Sequence, residues 1–172
     1  EILSKWNPDE MALSPDFVDE LGVLTADRAN LSPIAIADIP ELAIMQGLPS
    51  FAVQPAALRR NQSFTFYEGD WATAEPIMES GCGLLLMPRI AARQGVGLYD
   101  TVTLEGTRGA VDCTVVGTGT SSFMGTSLIS MAGMDALGMN AERLFGITIQ
   151  PLPDVDEKTL WNDIETLTQS YA

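Results

Sequence analysis

The chain has 172 residues, a length typical of one domain or of one domain with an inserted subdomain. Nine Lys and Arg against 23 Asp and Glu give a net charge of −14, which disfavours binding to nucleic acids and to anionic membrane surfaces. With no histidine and two cysteines, the sequence lacks Ser-His-Asp and Cys-His catalytic groups, His-ligated zinc and four-cysteine metal centres, and no apolar run approaches the ~20 residues that cross a bilayer.

The first 60 residues predict a helix, a strand and a second short helix. Residues 14–16, Ser-Pro-Asp, are typical of a helix start, and Gly22 is a natural end for that helix. Isoleucines alternate with other residues over 34–39, as in a strand. Residues 41–46 predict a short helix. Because residues 48–60 contain two prolines, they predict irregular or edge structure.

From residue 64 onward the patterns predict a mixed α/β arrangement. Residues 83–87 form a continuous apolar run, typical of a strand buried on both faces. The predicted elements, in order, are a strand over 64–68, the strand 83–87, a helix over 88–94, a hairpin over 101–116 that turns at 106–109, a loop over 117–122, and strands over 127–130 and 145–150.

A helix is predicted to end the sequence. Asp154 followed three residues later by Glu157 resembles a capping box. The residues that follow at helical spacing, and that predict one face buried against the sheet, are Leu160, Trp161, Ile164, Leu167, Thr168 and Tyr171.

Two groups of polar residues have a structural and a functional interpretation. The Gly-Thr-Ser segment 117–122 could cradle a phosphate, but no lysine follows at the spacing of a nucleotide-binding loop, so a loop that connects strands is favoured. Acidic residues near the start of the chain favour a solvated face over an acid/base pair, because they lie on one short segment. These residues are Asp9, Glu10, Asp16, Asp19 and Glu20.

Cysteines and large apolar residues supply the other candidate sites. Cys82 and Cys113 predict either a structural disulfide, in an oxidising compartment, or two buried thiols. Phe123 and Met124 stand among Gly, Ser and Thr, where they either contact a partner or fold back onto the core. Together with Trp71 they are the candidate partner contacts.

Turns are predicted at several small or polar residues. Gly69 follows the first strong strand, and Gly95 and Gly97 permit positive φ where the chain leaves a short helix. Asp100 can accept N–H groups of the turn that it follows. Gly117 is predicted to end its strand.

Several short motifs follow one another over 64–172, roughly two thirds of the chain. They lie at residues 66–71 (FYEGDW), 83–86 (GLLL), 90–96 (IAARQGV), 97–104 (GLYDTVTL), 113–117 (CTVVG), 145–150 and 156–171. Their order resembles the extracytoplasmic domain of ABC transporter permeases of the MacB/FtsX/LolC type. Tyr99 departs from the family pattern, which has glycine before the aspartate, so this turn must be made differently.

The resemblance implies an α+β fold in which helices pack on a mixed sheet, with two lobes. It implies a membrane-proximal α/β lobe formed by residues 1–63 and 144–172, and a β-rich inserted lobe formed by residues 64–143. It implies no catalytic residue, metal or cofactor, and therefore not an enzyme.

The function implied by the resemblance is mechanical. Such a domain lies on the periplasmic or extracellular side of the cell membrane, between two transmembrane helices, and relays ATP-driven motion. Its partners would be the transmembrane helices of the permease, an ATPase subunit or domain, and a periplasmic or extracellular protein. The alternative is a secreted or surface-anchored acidic module that captures a small or cationic ligand in a deep pocket.

Overall fold

The computed structural model describes residues 2–3, 12–43, 50–122, 126–139 and 143–171. Over these residues the chain is α+β, with six α-helices and a mixed sheet. It divides into two compact units, unit 1 from residues 1–34 and 142–172 and unit 2 from residues 35–141. No helix in the described ranges is long and apolar enough to span a bilayer.

The helices and strands alternate irregularly along the chain. The strands are β1 (Ile2–Leu3), β2 (Ala29–Ala37), β3 (Ser50–Val53), β4 (Phe64–Glu68), β5 (Gly83–Leu86), β6 (Thr101–Gly106), β7 (Gly109–Ser121), β8 (Leu128–Ser130) and β9 (Leu144–Pro151). The helices are α1 (Pro15–Thr25), α2 (Pro55–Asn61), α3 (Trp71–Ser80), α4 (Pro88–Gln94), α5 (Met131–Ala136) and α6 (Glu157–Ser170).

In unit 1, β9 lies between β1 and β2, and α1 packs against α6. The two helices are antiparallel, because Phe17 near the start of α1 meets Tyr171 at the end of α6, with ring centroids 5.5 Å apart. Beyond the end of α1, Arg28 reaches back to Asp163 on α6. The buried side chains of the two helices include Phe17, Leu21, Leu160 and Ile164.

Helix α1 does not end at Gly22, so that prediction was wrong. It continues to Thr25, whose buried hydroxyl donates to the carbonyl of Leu21 at 2.7 Å. A glycine inside a helix costs only about 1 kcal/mol, and burial of one continuous face can outweigh that cost.

Helix α6 begins later than the capping-box pattern predicted. Asp154 has φ +66° and lies outside the helix, and Asp156 is the N-cap. The Asp156 carboxylate accepts hydrogen bonds from the hydroxyl of Thr159 and from the backbone N–H groups of Thr159 and Lys158, which lowers its pKa. The predicted helix was correct, but its predicted cap was wrong.

The sheet of unit 2 mixes parallel and antiparallel pairs. Its order is β2, β3, β8, β5, β7 and β4, with β6 also paired to β7. β3 pairs with β8 and β5 with β7 in parallel, and the other pairs within the unit are antiparallel. All four residues of β5 are buried, which confirms the prediction of a strand covered on both faces.

The predicted hairpin is confirmed, but its second strand is longer than expected. The register pairs Gly106 with Gly109, as a tight turn requires, and β7 then continues through residues 117–121, where a loop was predicted. Gly117 therefore lies inside β7 and does not end it. A Cβ at Gly117 would overlap the ring of Phe66, so glycine lets the adjacent strand lay an aromatic ring across β7.

Residues 35–63 belong to unit 2, so the boundary between the units lies at 34/35 and not at 63/64. The physical reason is that 48–60 is not irregular. β3 pairs with β8 at Phe51 opposite Leu128, and Pro55 starts α2 at the first helical position, where proline fits. Helix α2 then packs against α3.

Other elements differ from the prediction in smaller ways. The helix over 88–94 and its end at Gly95, which has φ +64°, are confirmed. The helix predicted over 41–46 is replaced by a 3-10 turn at Pro40–Leu42, and the rest of that prediction lies outside the described residues. Helices α3 and α5 were not predicted.

The turn before β6 is made by Tyr99 in a conformation that glycine usually adopts. Tyr99 has φ +66°, whereas Gly97, for which positive φ was predicted, has none. The N–H of Gly97 donates to the Asp100 carboxylate at 2.8 Å, as expected for Asp100. Gly69, with φ +99°, is held to glycine because a Cβ there would lie 2.8 Å from the carbonyl oxygen of Val116.

Replacing Tyr99 with glycine is expected to raise the free energy of unfolding by about 0.5 kcal/mol, because relief of the left-handed strain exceeds the entropy cost of glycine. As a matched control, Gly95→Ala has the same sign of φ and open space for its Cβ, and is expected to cost about 1 kcal/mol. Urea denaturation measures both. A loss of stability in Tyr99→Gly would show that the tyrosine ring makes contacts worth more than the strain.

Candidate functional site

Cys82 and Cys113 form a disulfide, with their Cα atoms 4.7 Å apart. Cys82 precedes β5 and Cys113 lies on β7, and these strands are parallel neighbours paired at Gly83 and Thr114. The sequence left open a disulfide or two buried thiols, and the structure shows the disulfide. Helix α5 packs over it, since a Cβ at Gly133 would lie 2.7 Å from the sulfur of Cys82.

The disulfide is buried among hydrogen-bonded backbone groups, which indicates a structural role. The hydroxyl of Ser130 accepts from the N–H groups of Gly83 and Gly133 and donates to the carbonyl of Gly81. Cys113 is completely buried and Cys82 nearly so. The bond therefore fastens the start of β5 to β7, and the hydroxyl of Ser130 holds the start of α5 beside it, away from solvent.

The ring of Trp71 packs against other aromatic rings of unit 2. Trp71 is the first residue of α3, and its ring packs edge-on against Phe66, 5.0 Å away, and Phe64, 6.5 Å away. The half-buried ring thus joins α3 to the strand β4. A role for Trp71 in contacting a partner stays a prediction, and Phe123 and Met124 lie outside the described residues.

A groove between α1 and α6 is the feature of unit 1 that the sequence patterns missed. Its volume is about 680 Å³, and its apolar lining comes from Val23, Leu24 and Leu167. Val23 is 82 % exposed, more than any other large apolar residue of the described chain. Because the predicted helix ended at Gly22, the pattern left Val23 and Leu24 outside it.

Carboxylates form the polar lining of the groove. Asp19 is exposed, Glu20 accepts a hydrogen bond from the hydroxyl of Tyr171 at 2.7 Å, and Asp163 pairs with Arg28 at 2.8 Å. Two of the three acidic side chains are therefore held in place. The sequence placed Asp19 and Glu20 on a solvated face, and the structure adds the apolar groove beside them.

The electrostatic potential is negative where Asp19 and Glu20 line the groove. The hydrogen bond to Glu20 raises the pKa of Tyr171 to about 12, and desolvation and the charges of Glu20, Asp16 and Asp19 act in the same direction. Over the described part of the chain, no group of three or more His, Cys, Asp or Glu side chains could hold a metal ion. Asp9 and Glu10 lie outside the described residues.

Comparison with known protein families gives no matching family model, and comparison with curated proteins gives no significant relative. The function is therefore inferred from the residues and their geometry.

Removing the disulfide with the double variant Cys82→Ala, Cys113→Ala is expected to lower the free energy of unfolding by about 3–4 kcal/mol, because the bond closes a loop with a sequence separation of 31 residues. Urea denaturation with and without reductant measures the effect. Reductant should destabilise the wild type and leave the variant unchanged. Equal stability of the two proteins without reductant would contradict the structural role.

Tyr171 should ionise late in an alkaline titration. The wild type minus Tyr171→Phe difference in tyrosinate absorbance isolates this residue, with a pKa expected at about 12. Since the folded-state pKa lies above the unfolded value, its hydrogen bond stabilises fully below about pH 10 and is lost as the pH rises through 12. Glu20→Gln should shift the titration towards pH 10, and Glu165→Gln, an exposed control on α6, should not.

Proposed function

We propose that this chain is the extracytoplasmic domain of an ABC transporter permease of the MacB/FtsX/LolC type, which relays ATP-driven motion. The observation that carries the proposal is that unit 1 is formed by two separate segments, residues 1–34 and 142–172. The continuous segment between them, residues 35–141, forms unit 2. A domain placed between two transmembrane helices is connected to both of them through a single unit when one unit contains both outer segments of the chain. The arrangement of unit 1 meets that condition.

The contacts of unit 1 support the proposal further. The short strand β1 pairs antiparallel with β9, with Ile2 opposite Thr148, and α1 packs against α6. Motion delivered through either end of the chain would therefore act on the same packed unit. Rigid-body motion of a packed unit is the mode of action that a relay domain requires.

Two properties of the chain suit the outer side of a cell membrane. A structural disulfide persists in oxidising compartments and is rare in the cytosol. A net charge of −14 keeps the domain from lying on anionic headgroups. The partners under this proposal are the permease helices, an ATPase subunit or domain, and a periplasmic or extracellular protein.

The α1–α6 groove favours a second candidate, a secreted or surface-anchored acidic binding module without a transport function. Such a module needs a lined concave surface, which the groove supplies. The two candidates differ in their attachment to the membrane, since only a permease domain is held by transmembrane helices on both sides.

Thiol labelling of the full-length protein in its native cells tests the proposal. The native cysteines of this region are paired, so Val23→Cys in unit 1 and Tyr67→Cys in unit 2 each introduce one exposed thiol. We expect a membrane-impermeant maleimide to label both variants in intact cells, and the labelled protein to stay in membranes washed with alkaline carbonate. The wild type serves as the unlabelled control.

The other outcomes separate the alternatives. Labelling that appears only after lysis would overturn an extracytoplasmic location. Labelled protein that is released into the medium or by the carbonate wash would overturn the permease assignment in favour of a secreted binding module. A surface-anchored module would also stay in the washed membranes, and the full-length sequence separates it from a permease domain, which needs an apolar segment of about 20 residues on each side of this region.

A further inference from the structure

We infer that the α1–α6 groove binds a basic amphipathic helix, about three turns long, of another polypeptide. The inference depends on unit 1 alone and stands whether or not the chain is a permease domain. Its basis is the shape, the exposed apolar surface and the charge of this groove.

The shape of the groove fits a helix. Eleven residues of α1 give a length of about 16 Å, or three turns. On α6 the lining residues recur at i, i+3, i+4 and i+7 from Asp163, and on α1 at i, i+1, i+4 and i+5 from Asp19. The lining is therefore one continuous side of each helix. Because the two helices are antiparallel neighbours, a third helix can lie in the groove between them.

The apolar surface of the groove gives an amphipathic helix its contact. Val23 is 82 % exposed, and Leu24 and Leu167 are half-buried. Covering these side chains would remove apolar surface from water at about 25 cal/mol per Å². An exposed valine with two half-buried leucines in the same groove is apolar surface that a leucine-rich helix face would cover.

Charge selects a basic occupant. Helices α1 and α6 together carry six carboxylates and one lysine, and three of the carboxylates line the groove. Lysine or arginine beside the apolar face of the incoming helix would complement Asp19 and Glu20. Anionic lipid headgroups would be repelled by the same field.

A second copy of the chain does not fit this groove. Its α1 and α6 carry the same negative charge, so pairing these faces would bring like charges together. The basic helices α2 and α4 are seven residues long, which is two turns, and Arg59 on α2 is paired with Glu75 at 2.6 Å.

The test uses a fluorescent peptide of about 14 residues, with leucine at i, i+3, i+4 and i+7 and lysine on the flanking positions. A scrambled peptide of the same composition is the control. Fluorescence anisotropy against the whole chain should show the patterned peptide binding at least about tenfold more tightly than the scrambled one. Such a ratio corresponds to about 1.4 kcal/mol.

Variants of the chain locate the binding. Val23→Ser should weaken it about fivefold through lost apolar contact, and Asp19→Lys about three- to tenfold through charge reversal. The matched controls are Tyr67→Ser and Glu105→Lys, exposed positions in unit 2, and they should change the affinity less than about twofold. Circular dichroism of each variant checks that it is folded.

Four results would overturn the inference. The first two are no binding of the patterned peptide and equal binding of both peptides. The third is an equal loss of affinity in Asp19→Lys and Glu105→Lys, which would indicate an effect of net charge alone. The fourth is a dimer of the free chain that Val23→Ser dissociates. The last result would make a second copy the occupant.

Discussion

Phe17 is completely buried in unit 1 and packs its ring edge-on against Tyr171, 154 positions further along the chain. The other buried side chains of these helices, Leu21 on α1 and Leu160 and Ile164 on α6, belong to the same contact between distant segments. Neither helix could bury its apolar face alone, because an isolated amphipathic helix is marginal in water. The groove, the fixed carboxylates and the shared unit for both ends of the chain all follow from this packing.

In unit 2 the long strand β7 is the element on which the other strands depend, as the α1–α6 packing is in unit 1. It pairs with β4, β5 and β6, and it carries Cys113 of the disulfide. The glycines near its end misled the prediction, since Gly, Thr and Ser over 117–122 are the composition of a loop. The glycines instead admit the rings of the neighbouring strand, and Gly119 could not carry a Cβ without approaching the Phe64 ring to 2.9 Å. Local composition cannot reveal a requirement that comes from the adjacent strand.

Elements set by their own residues were predictable, and elements set by tertiary contacts were not. β5 and α4 have short apolar runs and a glycine end that need no partner to be recognised. Gly22 looks like a helix end in sequence, but the buried face continues to Thr25. That error removed Val23 from the helix and hid the groove. A helix face that packs against a segment distant in sequence can therefore override a local signal for the end of the helix.

The acidic face of unit 1 differs from a merely solvated surface in how its charges are held. A solvated carboxylate samples many rotamers, and ordering it on binding costs conformational entropy. Glu20 is already bonded to Tyr171, and Asp163 to Arg28, so part of that cost is met in the free chain. Both carboxylates keep further acceptor sites, since an ionised carboxylate offers about four lone-pair sites. An acidic rim that is ordered in advance, beside an exposed valine, is therefore better suited to a specific basic helix than to diffuse attraction of cations.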